Sequence, residues 1–411
     1  MKTFASKIFL LALLFITAQP ILHSQSNVIV ISGVIKDAQS KQRVANAAIS
    51  LPGTGVGTVS NSDGEFIIKV PINAVPKIIF SHISYVTKEL TFENFNSNQT
   101  ILLEPQVLQL SDITAKPSDA LGIVKLAFEK IKQNYSEAPV MMKGFYRESI
   151  RQRRDYISIT EALIDIYKTP YTDKAFDQVA INKGRKGQNI KKVDTLNVLL
   201  QGGPAILLLI DVPKNPSMGV NLIDWDKYKF KYGDLATIDE KLNYVINFEP
   251  AIRTVEPLYF GKLFIQQDNF AITRAEFSLD LIDEGKAAEM FIQKKPSNLL
   301  FVPLETNYLV TFKPYEGKYY LNYVRIDLKF KSDWKRRLFK NNYTIISEMA
   351  ITDRLENNVV KIKTANRFKT NMVMNKEVAA FYDPQFWGDQ NIIEPEESIE
   401  NAIKRITRKM N

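Results

Sequence analysis

Between Val28 and Leu103 apolar and polar residues alternate in short runs, and the runs close on clusters of turn formers. Alternation of period two marks strands with one buried face. It predicts strands over Val28–Lys36, Ala47–Leu51, Gly57–Ser60, Glu65–Val70, Lys77–Ser81, Thr87–Phe92 and Thr100–Leu103. The turns fall at Pro52-Gly53, Asn61-Ser62-Asp63-Gly64, Pro71-Ile72-Asn73 and Asn94 to Asn98, residues that tolerate or pre-set turn backbone angles. Seven strands within residues 28–104 leave no room for crossover helices, so this segment is confined to a β-sandwich.

Ahead of it, Met1 to Ser26 has the parts of a secretory leader: Lys2 and Lys7, the apolar run Ile8 to Ala18, then the small residues Ser24 and Ser26. The run is shorter than the roughly 20 residues a membrane-spanning helix needs, so cleavage is the reading and an uncleaved anchor the alternative. The most apolar later stretch, Ala205 to Ile210, is soon closed by Asp211, Pro213 and Lys214, so no transmembrane span is expected in the mature chain. The expected address is the periplasm or the outer membrane. Loss of Lys2 and Lys7 with the leader lowers the formal charge of +9 to +7, a mild bias toward anionic surfaces. Export separates the chain from nucleic acid, which is not expected as a partner.

The chain has no cysteine, which excludes disulfides, thiolate metal sites, cysteine nucleophiles and lipidation at an N-terminal cysteine. Its mature part keeps one histidine, His82, read as structural at a strand end. A single imidazole cannot build a zinc peptidase site, and no Gly-x-Ser-x-Gly elbow accompanies it to make a serine triad. No cofactor and no metal are expected. Carboxylate chemistry stays open at Glu148, Glu161 and Asp165, because two carboxylates about 5–9 Å apart can hydrolyse glycosides. Arg147-Glu148 is read as a structural ion pair or as surface charges, and Arg147, Glu148 and Glu161 are the first residues to mutate.

The front segment carries a recognisable pattern: Gly33-Val34-Ile35-Lys36-Asp37, Val44-Ala45-Asn46-Ala47-Ala48-Ile49, Gly57 through Phe66, and Phe80-Ser81-His82-Ile83-Ser84-Tyr85. It resembles the carboxypeptidase regulatory-like (transthyretin-like, prealbumin-fold) domain of gram-negative envelope proteins, with Ser84 standing where glycine is usual. In transporters of the TonB-dependent type such a sandwich leads into a plug and barrel, but the residues left here are too few for a barrel of about 22 strands. The expected organisation is a leader over 1–26, the sandwich over 27–104, a linker over 105–117 and a β-rich module over 118–411.

In that module Ser118-Asp119 can cap a helix from about Ala120 to Tyr135, burying Ile123, Val124, Leu126, Ala127 and Ile131. A strand-rich pair comes next, from Lys143 to Tyr167. Further strands are expected over Lys241–Phe248, Tyr259–Gln266, Phe270–Leu281, Asn307–Lys313, Lys318–Phe330, Tyr343–Thr352 and Val359–Phe368, as an antiparallel half-barrel or curved sheet with a few helices. Tyr259 to Gln266 with Ala271 to Phe277 looks like the strand pair of lipoprotein-carrier half-barrels. Phe145-Tyr146-Arg147-Glu148, Gly202-Gly203-Pro204 with Asp211-Val212, and Phe386-Trp387-Gly388 through Ile393-Glu394-Pro395 resemble envelope proteins that pair this sandwich with such a module. Gly202-Gly203-Pro204 lacks the Lys-Ser/Thr of a phosphate loop and is read as a tight turn before a buried helix or strand. The chain ends in an amphipathic helix over Glu396 to Lys409, read as docking on its own sheet with membrane binding as the alternative.

Two basic segments stand out, Lys183 to Lys192 and Lys331 to Lys340. In the second, Trp334, Lys335, Arg336, Arg337 and Phe339 are the candidate binding residues for lipid headgroups, lipopolysaccharide phosphates or an acidic partner. These features support three readings: a non-catalytic envelope module binding a lipid, an apolar ligand or an outer-membrane partner; a carboxylate-dependent hydrolase; and a structural adaptor. An open apolar cavity would favour the first, converging acids with a perturbed pKa the second, and a filled core with only exposed sheet edges the third. The leader makes one direct prediction: N-terminal sequencing of the exported protein returns a start within a few residues of Ser24, whereas an intact Met1 refutes cleavage.

Overall fold

The computed structural model describes residues 28–72, 77–91, 98–106, 119–153, 155–188, 199–200, 203–215, 224–294, 297–334, 341–355, 359–380 and 387–396. The leader, most of the linker, the Lys335–Lys340 and Asn189–Lys192 parts of the two basic segments, and nearly all of the expected terminal helix lie outside them.

The front strands form where turn chemistry and alternation place them: β1 (Val28–Asp37), β2 (Ala48–Ser50), β3 (Gly57–Val59), β4 (Glu65–Pro71), β5 (Lys77–His82), β6 (Tyr85–Thr91) and β7 (Gln99–Leu103). They make two sheets, β4-β1-β7 and β3-β2-β5-β6. Gly64 (φ 69°) closes the Asn61–Gly64 turn, in which the Asn61 side chain accepts from the amides of Asp63 and Glu65. The alternate residues Phe66, Ile68 and Val70 of β4 meet Ile78 and Phe80 of β5 in a closed apolar core, with the Phe66 and Phe80 rings edge to face at 5.3 Å.

The rear module begins with α1 (Ala120–Glu129), capped by the Asp119 carboxylate at the amide of Leu121, and breaks at Lys130 into the single turn α2 (Ile131–Asn134). The expected single helix is therefore two. Next come β8 (Val140–Gln152), β9 (Asp155–Lys168), β10 (Gln178–Gln188), β11 (Leu199–Leu200) and α3 (Pro204–Leu209). Gly203, at φ 82°, turns the chain into α3, and a Cβ there would meet the Phe368 ring at 2.4 Å. The remaining elements are β12 (Tyr228–Tyr232), β13 (Ala236–Ile238), β14 (Lys241–Pro250), β15 (Tyr259–Gln266), β16 (Ile272–Leu279), α4 (Glu284–Glu289), β17 (Ile292–Lys294), β18 (Leu299–Tyr315), β19 (Lys318–Trp334), β20 (Asn341–Leu355), α5 (Met374–Glu377) and β21 (Ala379–Ala380).

Twelve of these strands join one open sheet in the order β12-β14-β15-β16-β18-β19-β20-β8-β9-β10-β21, with β13 beside β14. All pairings are antiparallel except β10 with β21, so the fold is mainly β, a sandwich followed by a curved antiparallel sheet with few helices. Val359–Phe368, expected as a strand, is irregular with one 3₁₀ turn over Thr364–Asn366. Its alternation does not mark a buried face: Val360 is 68% exposed, and the segment is anchored by Phe368, whose amide donates to the Val179 carbonyl.

The two faces of the large sheet differ. The inner face, with Tyr146, Ile164, Ile166, Leu263, Phe277, Val310 and Val324, is packed under α1 and α3 in one continuous apolar cluster. The outer face presents Phe145, Leu163, Tyr323 and Ala350, which pack with Val59 of the sandwich and with Trp387, Ile392 and Ile393 near the chain's end. The sandwich and the sheet are thus joined through a third segment, residues 387–396.

Candidate functional site

Across the outer face the strand register sets one row of side chains directly opposite each other: Lys262, Glu276, Leu309, Arg325, Glu348, Arg147, Glu161 and Arg185. Apart from Leu309, charge alternates in sign along the row, the arrangement in which cross-strand pairs attract. At its buried end Arg147 donates from Nε to Glu161 Oε1 (2.8 Å), and Arg185 donates to Glu161 Oε2 at 2.8 Å from Nε, with Nη2 2.7 Å away. Arg147 Nη1 lies 3.6 Å from Glu348 Oε1, and Tyr323 donates to Glu348 Oε2 at 2.7 Å. Burial pushes the Glu161 carboxyl up, but the two guanidinium groups overcome it and hold that carboxyl below its ordinary value.

The remaining donors of Arg147 reach the backbone of the terminal segment: Nη2 donates to the Ile393 carbonyl (2.7 Å) and Nη1 to that of Glu394 (3.3 Å). Arg185 stacks 4.9 Å from the centre of the Trp387 ring. The same segment faces the sandwich, where Thr58 Oγ1 donates to the Ile392 carbonyl at 2.7 Å and Asn61 Nδ2 to the Glu394 carbonyl at 3.2 Å. The Asn391 side chain accepts from the Lys69 amide (2.6 Å) and donates to the Lys69 carbonyl (3.1 Å), satisfying the edge of β4 as a paired strand would. Residues 387–394 form a strap bonded to the sheet on one side and to the sandwich on the other.

The inner face holds a second buried network. Lys168 Nζ donates to Asp177 Oδ2 (2.5 Å) and Asp211 Oδ2 (2.6 Å), while Tyr171 donates to the same Asp211 oxygen at 3.0 Å. The acids follow turns rather than lie on strands, which ties the β9–β10 connection and the end of α3 to the sheet. Glu148 also faces inward. Burial pushes its carboxyl up, and a 3.1 Å hydrogen bond from the Tyr146 hydroxyl offsets part of that.

Consecutive strand residues point to opposite faces, so Arg147 and Glu148 make no pair: Arg147 belongs to the outer row and Glu148 to the inner face. The ion-pair expectation is corrected in its partner, which is Glu161. Glu148 and Glu161 are likewise on opposite faces of the sheet. Glu161 and Asp165 share a face but stand four residues apart on one strand, roughly 13 Å, beyond the spacing that glycoside hydrolysis uses. Trp334 ends β19 opposite Leu299, while Lys335, Arg336, Arg337 and Phe339 lie outside the described residues. Lys168, Asp177 and Glu348 are not singled out in the sequence, and Arg185 stands there only as one charge of the basic segment Lys183 to Lys192. Their common trait, charge inside otherwise apolar surroundings, is visible there only once register is known.

Recesses follow the seam between the modules. One of about 390 Å³ is bounded by the Ser50–Gly57 hairpin of the sandwich and by Asp239, Glu240, Lys313, Tyr320 and Arg354 of the sheet. A smaller one of about 50 Å³ takes in His82, Arg274 and Tyr323. An open groove of about 530 Å³ lies over the uncovered end of the charge row, at Lys262, Glu276 and Arg325. His82 ends β5 as expected, its Nδ1 accepting from the Ser84 amide at 3.2 Å, and it faces this seam. Burial, helped by the Arg274 charge, lowers its pKa to about 4. Among the described residues no group of three or more His, Cys, Asp or Glu is placed to hold a metal ion, and no helix is long and apolar enough to cross a membrane.

Comparison with known proteins agrees with the front module: residues 31–114, roughly a fifth of the chain, match the CarboxypepD_reg-like domain family. No curated protein matches the chain. Solved structures similar to it include a domain named for outer-membrane lipoprotein sorting from Vibrio parahaemolyticus (7% identity, 59% of this chain and 95% of that one, TM-score 0.26). A LolA superfamily protein from Nitrosomonas europaea is similar at 12% identity, over 60% of this chain and 99% of its own, with a TM-score of 0.20. A DUF1329 family protein from Desulfovibrio piger is similar at 10% identity, over 56% and 92%, with a TM-score of 0.22.

Two outcomes are expected from this geometry. Arg147→Met leaves Glu161 and Glu348 buried without their shared cation and frees the strap, so urea unfolding should show a loss of about 3–5 kcal/mol, against under about 1 kcal/mol for Lys231→Met at an exposed pair. For His82 the folded pKa lies below the unfolded 6.5, so its neutral form is fully tolerated above pH 6.5 and stability falls as pH drops from 6.5 toward 4. The loss is at most about 3 kcal/mol, and His82→Gln should flatten that part of a melting-temperature profile against pH.

Proposed function

We propose that this chain is a non-catalytic, exported module of the gram-negative envelope that binds a ligand or partner at the seam between its sandwich and its curved sheet. The leader-like Met1 to Ser26 supports export. The observation that carries the binding reading is the strap. Its two-sided hydrogen bonding joins sandwich and sheet through buried polar contacts, and so holds together the two walls of the recesses that run elsewhere along the seam, whose linings come from both modules. The expected bowl of the half-barrel is occupied by α1, α3 and their apolar contacts among the described residues, which directs binding to the seam. The acids weighed for catalysis support the same reading, since Glu161 is engaged by two arginines and Glu148 lies on the other side of the sheet.

Native mass spectrometry of the mature protein isolated from its own envelope should reveal a bound species. Thr58→Val combined with Asn391→Ala, which removes three of the strap's bonds to the sandwich, should deplete that species while both modules stay folded. Glu148→Gln removes an ionisable group with little change of shape and should leave the species in place. A cellular phenotype abolished by Glu148→Gln, with melting temperature and bound species unchanged, would replace the binding reading with a carboxylate hydrolase. Glu161→Gln cannot serve this purpose, because Glu161 is part of the clamp.

A further inference from the structure

The 390 Å³ recess contains a cation that the fold has not paired with an acid among the described residues. Lys313 is partly withdrawn from solvent at the back of the seam, and its Nζ donates to Ser50 Oγ at 3.1 Å. No carboxylate oxygen of the described residues comes within 4 Å of it, in contrast to Lys168, which has two. Burial pulls the ammonium's pKa down, and the charge of Asp239 restores only part of it. An ammonium offers three donors, of which the described residues use one, so Lys313 is stabilised by whatever brings acceptors into the recess. On the same wall the Arg354 guanidinium lies against the rings of Tyr315 and Tyr320, at 3.6 and 4.2 Å from their centres, which fixes a second positive group beside the cavity.

The lining near Lys313 also carries the other sign. Asp239 and Glu240 form the tip between β13 and β14, both with φ in the left-handed region (47° and 63°), a two-residue hairpin turn made without glycine or asparagine. Such backbone persists when the surrounding structure pays for it, and here it places two carboxylates at the cavity wall. Glu89, a third acid of the lining, is already neutralised by Lys77 at 2.5 Å. A polyanion would gain at Lys313 and lose at these acids. A molecule with one oxyanion and a neutral or cationic far end meets both favourably.

We propose that the seam recess binds a small molecule bearing one carboxylate or phosphate group, seated on Lys313, with a neutral or cationic group directed toward Asp239 and Glu240. This rests on the reading of the chain as a binding module and names the ligand class for it. The Ser50–Gly57 hairpin supplies the other wall, and Gly55 lies so close to Arg354 that a Cβ would come within 2.5 Å of its amide nitrogen, so sandwich and sheet must both be in place for the site to exist.

O-phosphoethanolamine and inorganic phosphate serve as soluble probes, titrated by calorimetry into the full mature chain at matched ionic strength in chloride. O-phosphoethanolamine should bind more tightly than phosphate, and Lys313→Met should weaken it by about tenfold or more. Asp239→Asn with Glu240→Gln should reverse the preference toward phosphate, an outcome that loss of folding cannot mimic. Sedimentation with phosphatidylethanolamine vesicles separates the sources. Lys313-dependent capture of vesicles assigns the oxyanion to a lipid headgroup, and binding of the soluble probe without capture assigns it to a free metabolite. Equal affinity in wild type and Lys313→Met, or no heat with either soluble probe, overturns the proposal. A bound species lost on loosening the strap but lacking any oxyanion would overturn this ligand class while leaving the binding-module reading intact.

Discussion

Arg147 is the point on which the two modules depend. Its guanidinium is buried against two carboxylates on the sheet, and the donors left over reach the carbonyls of Ile393 and Glu394. A buried ion pair by itself is weak support for stability, because the loss of hydration rivals the Coulomb gain. Here the balance changes because a planar group with five donors satisfies side chains and backbone at once. A lysine would offer one point charge and could not hold Glu161 and the strap together.

The strap explains why motifs nearly 250 positions apart belong together. Phe145 and Arg147 lie on one strand; Trp387 and Ile393 cover them from above, with the Phe145 and Trp387 rings edge to face at 5.4 Å. On the other side of the same strand Tyr146 points inward toward Gly203, whose backbone hydrogen-bonds its hydroxyl. One short stretch of β8 therefore serves both faces, the outer one through odd-numbered residues and the inner one through even-numbered residues.

Much of the architecture was legible in the residues themselves. Turn formers around Asn61 and Pro52 and the alternation in Glu65–Val70, interrupted only by Ile67, lead directly to the sandwich strands, because these signals act over a few residues and depend little on distant neighbours. Val359–Phe368 failed for the opposite reason. Its alternation has no buried face behind it, with Val360 68% exposed, and the segment meets β10 at a single backbone bond from Phe368 to Val179. The helix from Ala120 breaks at Lys130, where the backbone leaves the helical region (φ −84°, ψ 1°), a change that the apolar spacing of the segment does not record.

The sequence by itself determined the absence of thiol chemistry, the shortage of imidazole, the presence of the sandwich and the strand-rich character of the rear module, since composition and periodicity are properties of the chain. Only the tertiary structure decided that Arg147 pairs with Glu161 rather than Glu148, that the two glutamates face apart, and that Lys313 meets Ser50 across a seam. Those facts depend on register, where a shift of one residue exchanges the two faces of a strand, and on which segments of chain come to lie over them. Neither is written in any window of adjacent residues.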